Sequence, residues 1–147
     1  VPAKLLFVGD GPERSTAEEL SRELGVFDCV RFVGKQDQIE DILSIADLFL
    51  LTSEYESFGL AALEAMAAGV PVISTDAGGL GEINIDGKTG FTCAVGDVAG
   101  MSQRAIELLT DESMLQRFRE AAREQASAFD LSRILPVYEA LYNKVIK

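Results

Sequence analysis

The chain contains no histidine. That leaves no imidazole base for a Ser-His triad and argues against zinc chemistry. Its two cysteines, Cys29 and Cys93, form no metal-ligand spacing, and they read as small core residues of a protein from a reducing compartment. Long apolar runs are missing too. Nothing approaches the ~20 residues that a membrane-spanning helix needs, and no signal-peptide pattern opens the chain, so the expected location is cytoplasmic. Positive charge is scarce, with 13 Lys and Arg against 24 Asp and Glu. The resulting net charge of −11 argues against nucleic acid or an anionic membrane as partner.

What is present describes one ordinary globular domain. A length of 147 residues and a hydrophobic fraction of 48% suffice for a real core, and the expectation is a single domain over residues 1–147. Val1-Pro2-Ala3 runs straight into strand-like Lys4–Gly9 without an initiator Met, which reads as a fragment of a longer protein.

Apolar runs alternate with helical periodicities. Strands are expected at Lys4–Gly9, Val30–Gly34, Asp47–Thr52, Val70–Thr75 and Phe91–Val95. Ser15-Thr16-Ala17-Glu18 is a capping-box pattern ahead of Ala17, Leu20 and Leu24 at helical spacing. Further helices are expected from Asp37 through Ala46, over Phe58–Ala68, and briefly near Leu80–Ile85. Three more follow with no strand between them, about Val98–Leu109, Glu112–Ala128 and Ser132–Ile146. This order implies an α/β fold, a parallel sheet with helices on both faces, ending in a run of helices. The last helix carries a wide apolar stripe of Leu131, Ile134, Leu135, Tyr138, Leu141, Tyr142, Val145 and Ile146. Docking on the domain's own sheet and contact with another domain or subunit account for it equally well.

Ligands of such sheets sit at the carboxyl ends of strands, where Gly9–Pro12, Gly34, Ser53–Gly59 and Asp76–Gly79 fall. The most informative segment is Glu56-Ser57-Phe58-Gly59-Leu60-Ala61-Ala62-Leu63-Glu64. A helix N-terminus offers unpaired N–H groups and a partial positive charge to phosphate, and carboxylates accept from sugar hydroxyls. The N–H groups of Phe58, Gly59 and Leu60 would meet a diphosphate, with Glu64 near a ribose diol and Glu56 facing the sugar. A surface helix with two solvated glutamates explains the spacing equally well. A hydrolytic carboxylate pair is disfavoured by the intervening helix turn. Gly78 and Gly79 would let a ligand approach the backbone closely, or simply make a turn. Gly9-Asp10-Gly11-Pro12 lacks both the G-x-G-x-x-G spacing and a Walker Lys-Ser/Thr. A structural turn is the better reading there, and Lys35 after Gly34 reads as a solvated lysine.

Taken in order, Gly9-Asp10-Gly11-Pro12-Glu13, Arg31-Phe32-Val33-Gly34, Glu56-Ser57-Phe58-Gly59-Leu60, Leu63-Glu64-Ala65-Met66-Ala67-Ala68-Gly69-Val70-Pro71-Val72-Ile73 and Gly78-Gly79 resemble the C-terminal, Rossmann-like half of a GT4-type, GT-B-fold retaining glycosyltransferase. Phe32–Asp37 and Glu54–Leu60 are most similar to the bacillithiol-pathway branch of that family, which transfers N-acetylglucosamine from UDP-GlcNAc to L-malate. The resemblance implies that Glu56 is catalytic, holding donor-sugar hydroxyls and stabilising an oxocarbenium-like transition state. It implies donor-binding roles for Glu64, Ser57, Phe58, Gly59, Leu60, Gly34, Lys35, Gly9 and Gly11. No cofactor and no metal are implied, the UDP-sugar being a substrate. The family's diphosphate-neutralising Arg and Lys, and its acceptor-binding N-terminal domain, would lie upstream of Val1. An isolated fragment is then expected to be inactive. The last helix of the family crosses to the N-terminal domain, so its exposure would favour homo-oligomers. Gly81 stands where the family usually has Pro. A non-catalytic nucleotide-sugar binding module is the alternative from another class. A receiver-like domain built on Asp10 and Lys88 would leave the Glu-x7-Glu segment unexplained.

Overall fold

The computed structural model describes residues 1–146, and the chain divides into two compact units, the first Val1–Asp41 and the second beginning at Ile42.

In the first unit, β1 (Leu5–Val8) runs parallel to β2 (Val30–Gly34), with Leu5 opposite Val30 and Phe7 opposite Phe32. The Phe7 and Phe32 rings stack, their centroids 4.8 Å apart, a pairing worth ~1 kcal/mol beyond its buried area. Between the strands lie α1 (Arg14–Glu23) and a 3-10 turn at Phe27–Cys29. The expected capping box is not used. The Arg14 N–H closes a turn on the Gly11 carbonyl, so the helix starts before Ser15, with Glu13 at its cap position and no side-chain cap. Leu20 and Leu24, expected on a buried face, are 51% and 66% exposed. β1 is likewise exposed along its whole length, so this unit leaves apolar surface of both helix and strand uncovered. The residue that is buried on α1 is Ser21, whose hydroxyl donates to the Glu18 carbonyl.

The second unit holds most of the core. It opens within α2 (Ile39–Ser44), whose Leu43 is buried. Three parallel strands follow in spatial order β3 (Phe49–Leu51), β4 (Val72–Thr75) and β5 (Gly90–Cys93). The expected sheet is thus realised as parallel sheets of two and three strands. α3 (Leu60–Ala67) links β3 to β4, and α4 (Leu80–Ile83) lies between β4 and β5. The closing run is α5 (Val98–Thr110), α6 (Glu112–Ser127) and α7 (Leu131–Val145), each within a residue or two of its expected bounds. Asp97, Asp111 and Asp130 cap these three helices by accepting from backbone N–H groups, each cap worth ~1 kcal/mol.

Ile73 and Phe91 face each other across β4 and β5, so both project from the same side of the sheet. There they pack with Met101 and Leu108 of α5 and Phe118 of α6. The opposite side carries Ser74, which meets Asn84 at the end of α4. Helices therefore cover both faces, and all four residues of the central strand β4 are buried. α6 is fastened to the neighbouring segments by an Arg119–Asp47 ion pair and by Arg123 donating to the Ala68 carbonyl at the end of α3. The stripe on α7 is not docked on the unit's own sheet. No residue of α7 is buried, and only Ile134 is partly covered. No helix among the described residues is long and apolar enough to cross a membrane.

Candidate functional site

The Glu-x7-Glu segment lies at the carboxyl end of β3. An eight-residue loop, 52–59, leads from β3 into α3. The helix begins at Leu60, two residues later than expected, because Gly59 takes a left-handed conformation (φ 94°) at its cap position. Phe58 therefore precedes the helix. A Cβ on Gly59 would stand 2.5 Å from Leu80 Cδ2, so a side chain here would have to displace Leu80, and the left-handed backbone itself favours glycine. No side chain caps α3 and its first turn holds no acidic residue. The opening N–H groups therefore keep their capacity to bind an anion. Leu60 and Glu64, four residues apart, share an exposed face of α3, while Ala62, Ala65 and Met66 are buried. Glu64 lies ~7.5 Å along the axis from the Gly59 cap at ~1.5 Å per residue. Glu56 is half-buried in the loop. Neither carboxylate has a hydrogen-bond or ion-pair partner among the described residues. Two carboxylates with free acceptor capacity therefore flank an uncapped helix N-terminus.

Gly78 and Gly79 serve a purpose that spacing alone could not assign. A Cβ on Gly78 would fall 1.7 Å from the Glu56 carbonyl oxygen, and one on Gly79 would fall 2.7 Å from that of Ser57. The backbone that needs the space is the Glu56–Ser57 loop. The Gly79 N–H donates to the Glu56 carbonyl at 3.3 Å, and the Thr75 hydroxyl donates to the Ser53 carbonyl at 2.6 Å. Phe58 packs edge-on against Phe129, centroids 5.8 Å apart. With Leu60 and Leu63 it forms one wall of an apolar groove of about 650 Å³ whose other wall includes Ile134, Tyr138 and Leu141 of α7.

In the first unit, Gly9 and Gly34 come together. The Gly9 N–H donates to the Gly34 carbonyl at 2.8 Å, and both take positive φ, 113° and 68°. Gly11 accepts from the Arg14 N–H in the turn that starts α1, and Lys35 is exposed. Arg14, the first residue of α1, is the basic residue beside this loop that sequence reasoning passed over. It is held by Glu18 and Asp10, 3.0 Å from each, and the hydrogen bonds to Glu18 and then Asp10 raise its pKa further. Its charge is thus balanced within the protein. No cluster of side chains suited to a metal ion occurs among the described residues.

The family pattern of glycosyl transferases group 1 matches residues 1–125, and the chain belongs to that family, as the C-terminal domain of a GT4-type, GT-B-fold enzyme. It is 47% identical over 148 aligned residues to the N-acetyl-alpha-D-glucosaminyl L-malate synthase of Bacillus anthracis, covering all of this chain and 39% of that protein. Among solved structures, the sucrose-phosphate synthase of Thermosynechococcus elongatus superposes with a TM-score of 0.88 at 31% identity, covering 97% of this chain and 38% of that one. The Anabaena protein Alr3699/HepE, solved in complex with UDP-glucose, superposes with a TM-score of 0.85 at 28% identity, over 95% of this chain and 41% of its own. The chain thus spans about two-fifths of the length of the proteins it matches.

Proposed function

We propose that this domain binds the nucleotide-sugar donor of a retaining glycosyltransferase, and that the complete polypeptide transfers N-acetylglucosamine from UDP-GlcNAc to L-malate. The observation that carries the reading is the pair of unpartnered carboxylates, Glu56 and Glu64, on either side of the uncapped α3 N-terminus. The choice of sugar and acceptor is supported by the 47% identity to the Bacillus anthracis synthase. Other sugar and acceptor pairs within the family are the competing reading, since sucrose-phosphate synthase shares the fold closely.

In this reading the α3 N–H groups hold the diphosphate, and Glu64 accepts from the ribose diol. Glu56 accepts from donor-sugar hydroxyls and stabilises positive charge as the anomeric carbon–oxygen bond breaks. The electron pair of that bond stays on the departing phosphate oxygen. The acceptor hydroxyl bonds to the anomeric carbon on the same face and passes its proton to that oxygen. Ser57, Phe58, Gly59 and Leu60 supply the loop backbone, and the Gly9–Gly11 loop with Gly34 and Lys35 is assigned to the donor by family resemblance. The acceptor-binding surface and the cations that balance the diphosphate belong to other sequence, and the exposed stripe of α7 is assigned to contact with it. This domain alone is then inactive.

The test follows UDP release from UDP-GlcNAc by the complete polypeptide, with and without L-malate, alongside Glu56→Gln and Glu64→Gln. Malate-dependent release that both substitutions sharply reduce is the expected result. Release without malate would reassign the acceptor. A folded protein that releases nothing from any nucleotide sugar would make the domain a binding module.

A further inference from the structure

We infer that Thr75, Gly78 and Gly79 are positioning residues: together they clasp the β3–α3 loop from the end of β4 and thereby set where Glu56 stands. The inference rests on the catalytic reading of Glu56 above.

Loop 52–59 has no helix or strand of its own, and a segment of that kind is ordinarily mobile. A carboxylate that stabilises a transition state must be held to within ~0.5 Å. Among the described residues, the hydrogen bonds that reach 53–58 come from one place. Thr75 donates to the Ser53 carbonyl, and the Gly79 N–H donates to the Glu56 carbonyl. Thr75 is 1% exposed, so water does not compete for its hydroxyl. It ends β4, which is paired on both sides and is the best-anchored strand of the unit. Gly78, at φ 54°, and Gly79 let the loop backbone lie directly on the β4–α4 turn, where any side chain would collide with the Glu56 or Ser57 carbonyl. The loop is thus fixed at two carbonyls three residues apart. The second belongs to Glu56 itself, which leaves its carboxylate free for a ligand while its backbone is held.

Thr75→Val keeps the side chain's shape and removes the donor, and Thr75→Ser keeps the donor. Amide hydrogen exchange in this chain reads the clasp without any catalysis. Thr75→Val is expected to speed exchange at the Gly79 amide, which donates to the Glu56 carbonyl, about tenfold or more relative to β4 amides, with Thr75→Ser near the parent. Equal exchange in all three proteins overturns the clasp. Turnover by the complete polypeptide reads its consequence. Thr75→Val is expected to lower kcat by roughly ten- to a hundredfold, as small misplacements do, with donor KM nearly unchanged and recovery in Thr75→Ser. Parent-level kcat in Thr75→Val, while Glu56→Gln is impaired, overturns the positioning role. Full activity of Glu56→Gln instead overturns the catalytic reading, and the exchange result still decides the clasp.

Discussion

The Thr89 hydroxyl donates to the side-chain oxygen of Asn84 across 2.9 Å, and both residues are almost completely buried. Asn84 Nδ2 lies within hydrogen-bond distance of the Val72 carbonyl, the Ser74 hydroxyl and the Phe91 carbonyl, while Thr89 Oγ1 accepts from the Ile85 N–H. One amide side chain thereby joins β4, β5 and the end of α4. Removing one member of such a network strands its partners without water. Asn84→Leu is expected to lower stability by about 2–4 kcal/mol, and Thr89→Val by somewhat less. Urea unfolding of the two variants and the parent checks this, with the midpoint moving and the slope constant.

Glycine at position 78 is required by close backbone contact, whereas a Cβ on Gly81, inside α4, would meet nothing within 4 Å. Gly78→Ala is expected to cost about 2 kcal/mol or more, from backbone strain and collision with the Glu56 carbonyl. Gly81→Ala is expected to be neutral or to stabilise by up to ~1 kcal/mol. Thermal melts of the pair separate the two positions, and equal melting temperatures would contradict the contact.

The ribose assignment of Glu64 predicts a preference that the side chain itself creates. Binding of UDP is expected to be tighter than binding of 2′-deoxy-UDP, by about 1.5–3 kcal/mol for a hydrogen bond to a charged acceptor. Glu64→Ala should erase that difference, and should weaken deoxy-UDP less than UDP, because deoxy-UDP loses only the 3′-hydroxyl contact. Calorimetric titration of both ligands against both proteins completes the cycle.

The two thiols should react at different rates. Cys29 is exposed, whereas Cys93 is partly buried beside the Ile73–Phe91 core, and burial, with Asp97 nearby, pushes its thiol pKa up. The thiolate is the reactive form. Iodoacetamide at neutral pH is expected to label Cys29 first, with Cys93 following only on unfolding, as peptide mass spectrometry would show.

Asp130 caps α7, and hydrogen bonds from the Ser132 hydroxyl and then from its N–H hold the Asp130 carboxyl below the usual range. A depressed folded pKa favours the folded state above the unfolded pKa. That contribution is lost as pH falls through the folded value. The start of α7 is therefore expected to loosen in acid, seen as faster exchange of the Ser132 and Arg133 amides. Asp130→Asn should flatten the dependence.

Much of this protein follows from local pattern. The alternation of apolar strands with periodic helices implies a parallel α/β fold, because a strand covered on both faces reads as a mainly apolar run, its buried hydroxyls hydrogen-bonded as in β4, and a crossover helix must present one apolar side. The spacing of Glu56 and Glu64 and the glycine between them were equally plain, since they depend on residues close in sequence. Tertiary structure decided the rest. The start of α3 at Leu60 depends on Gly59 fitting beneath Leu80. The Asn84 network needs three segments brought together, and no single stretch of sequence contains it. Leu20, Leu24 and the stripe on α7 have the periodicity of buried faces yet stand exposed, because periodicity shows which side of a helix is apolar and not whether anything covers it. The Gly78–Gly79 pair is the clearest case. Its permissive backbone was legible from composition, but what lies against it, the carbonyl of Glu56, depends on where a distant loop falls.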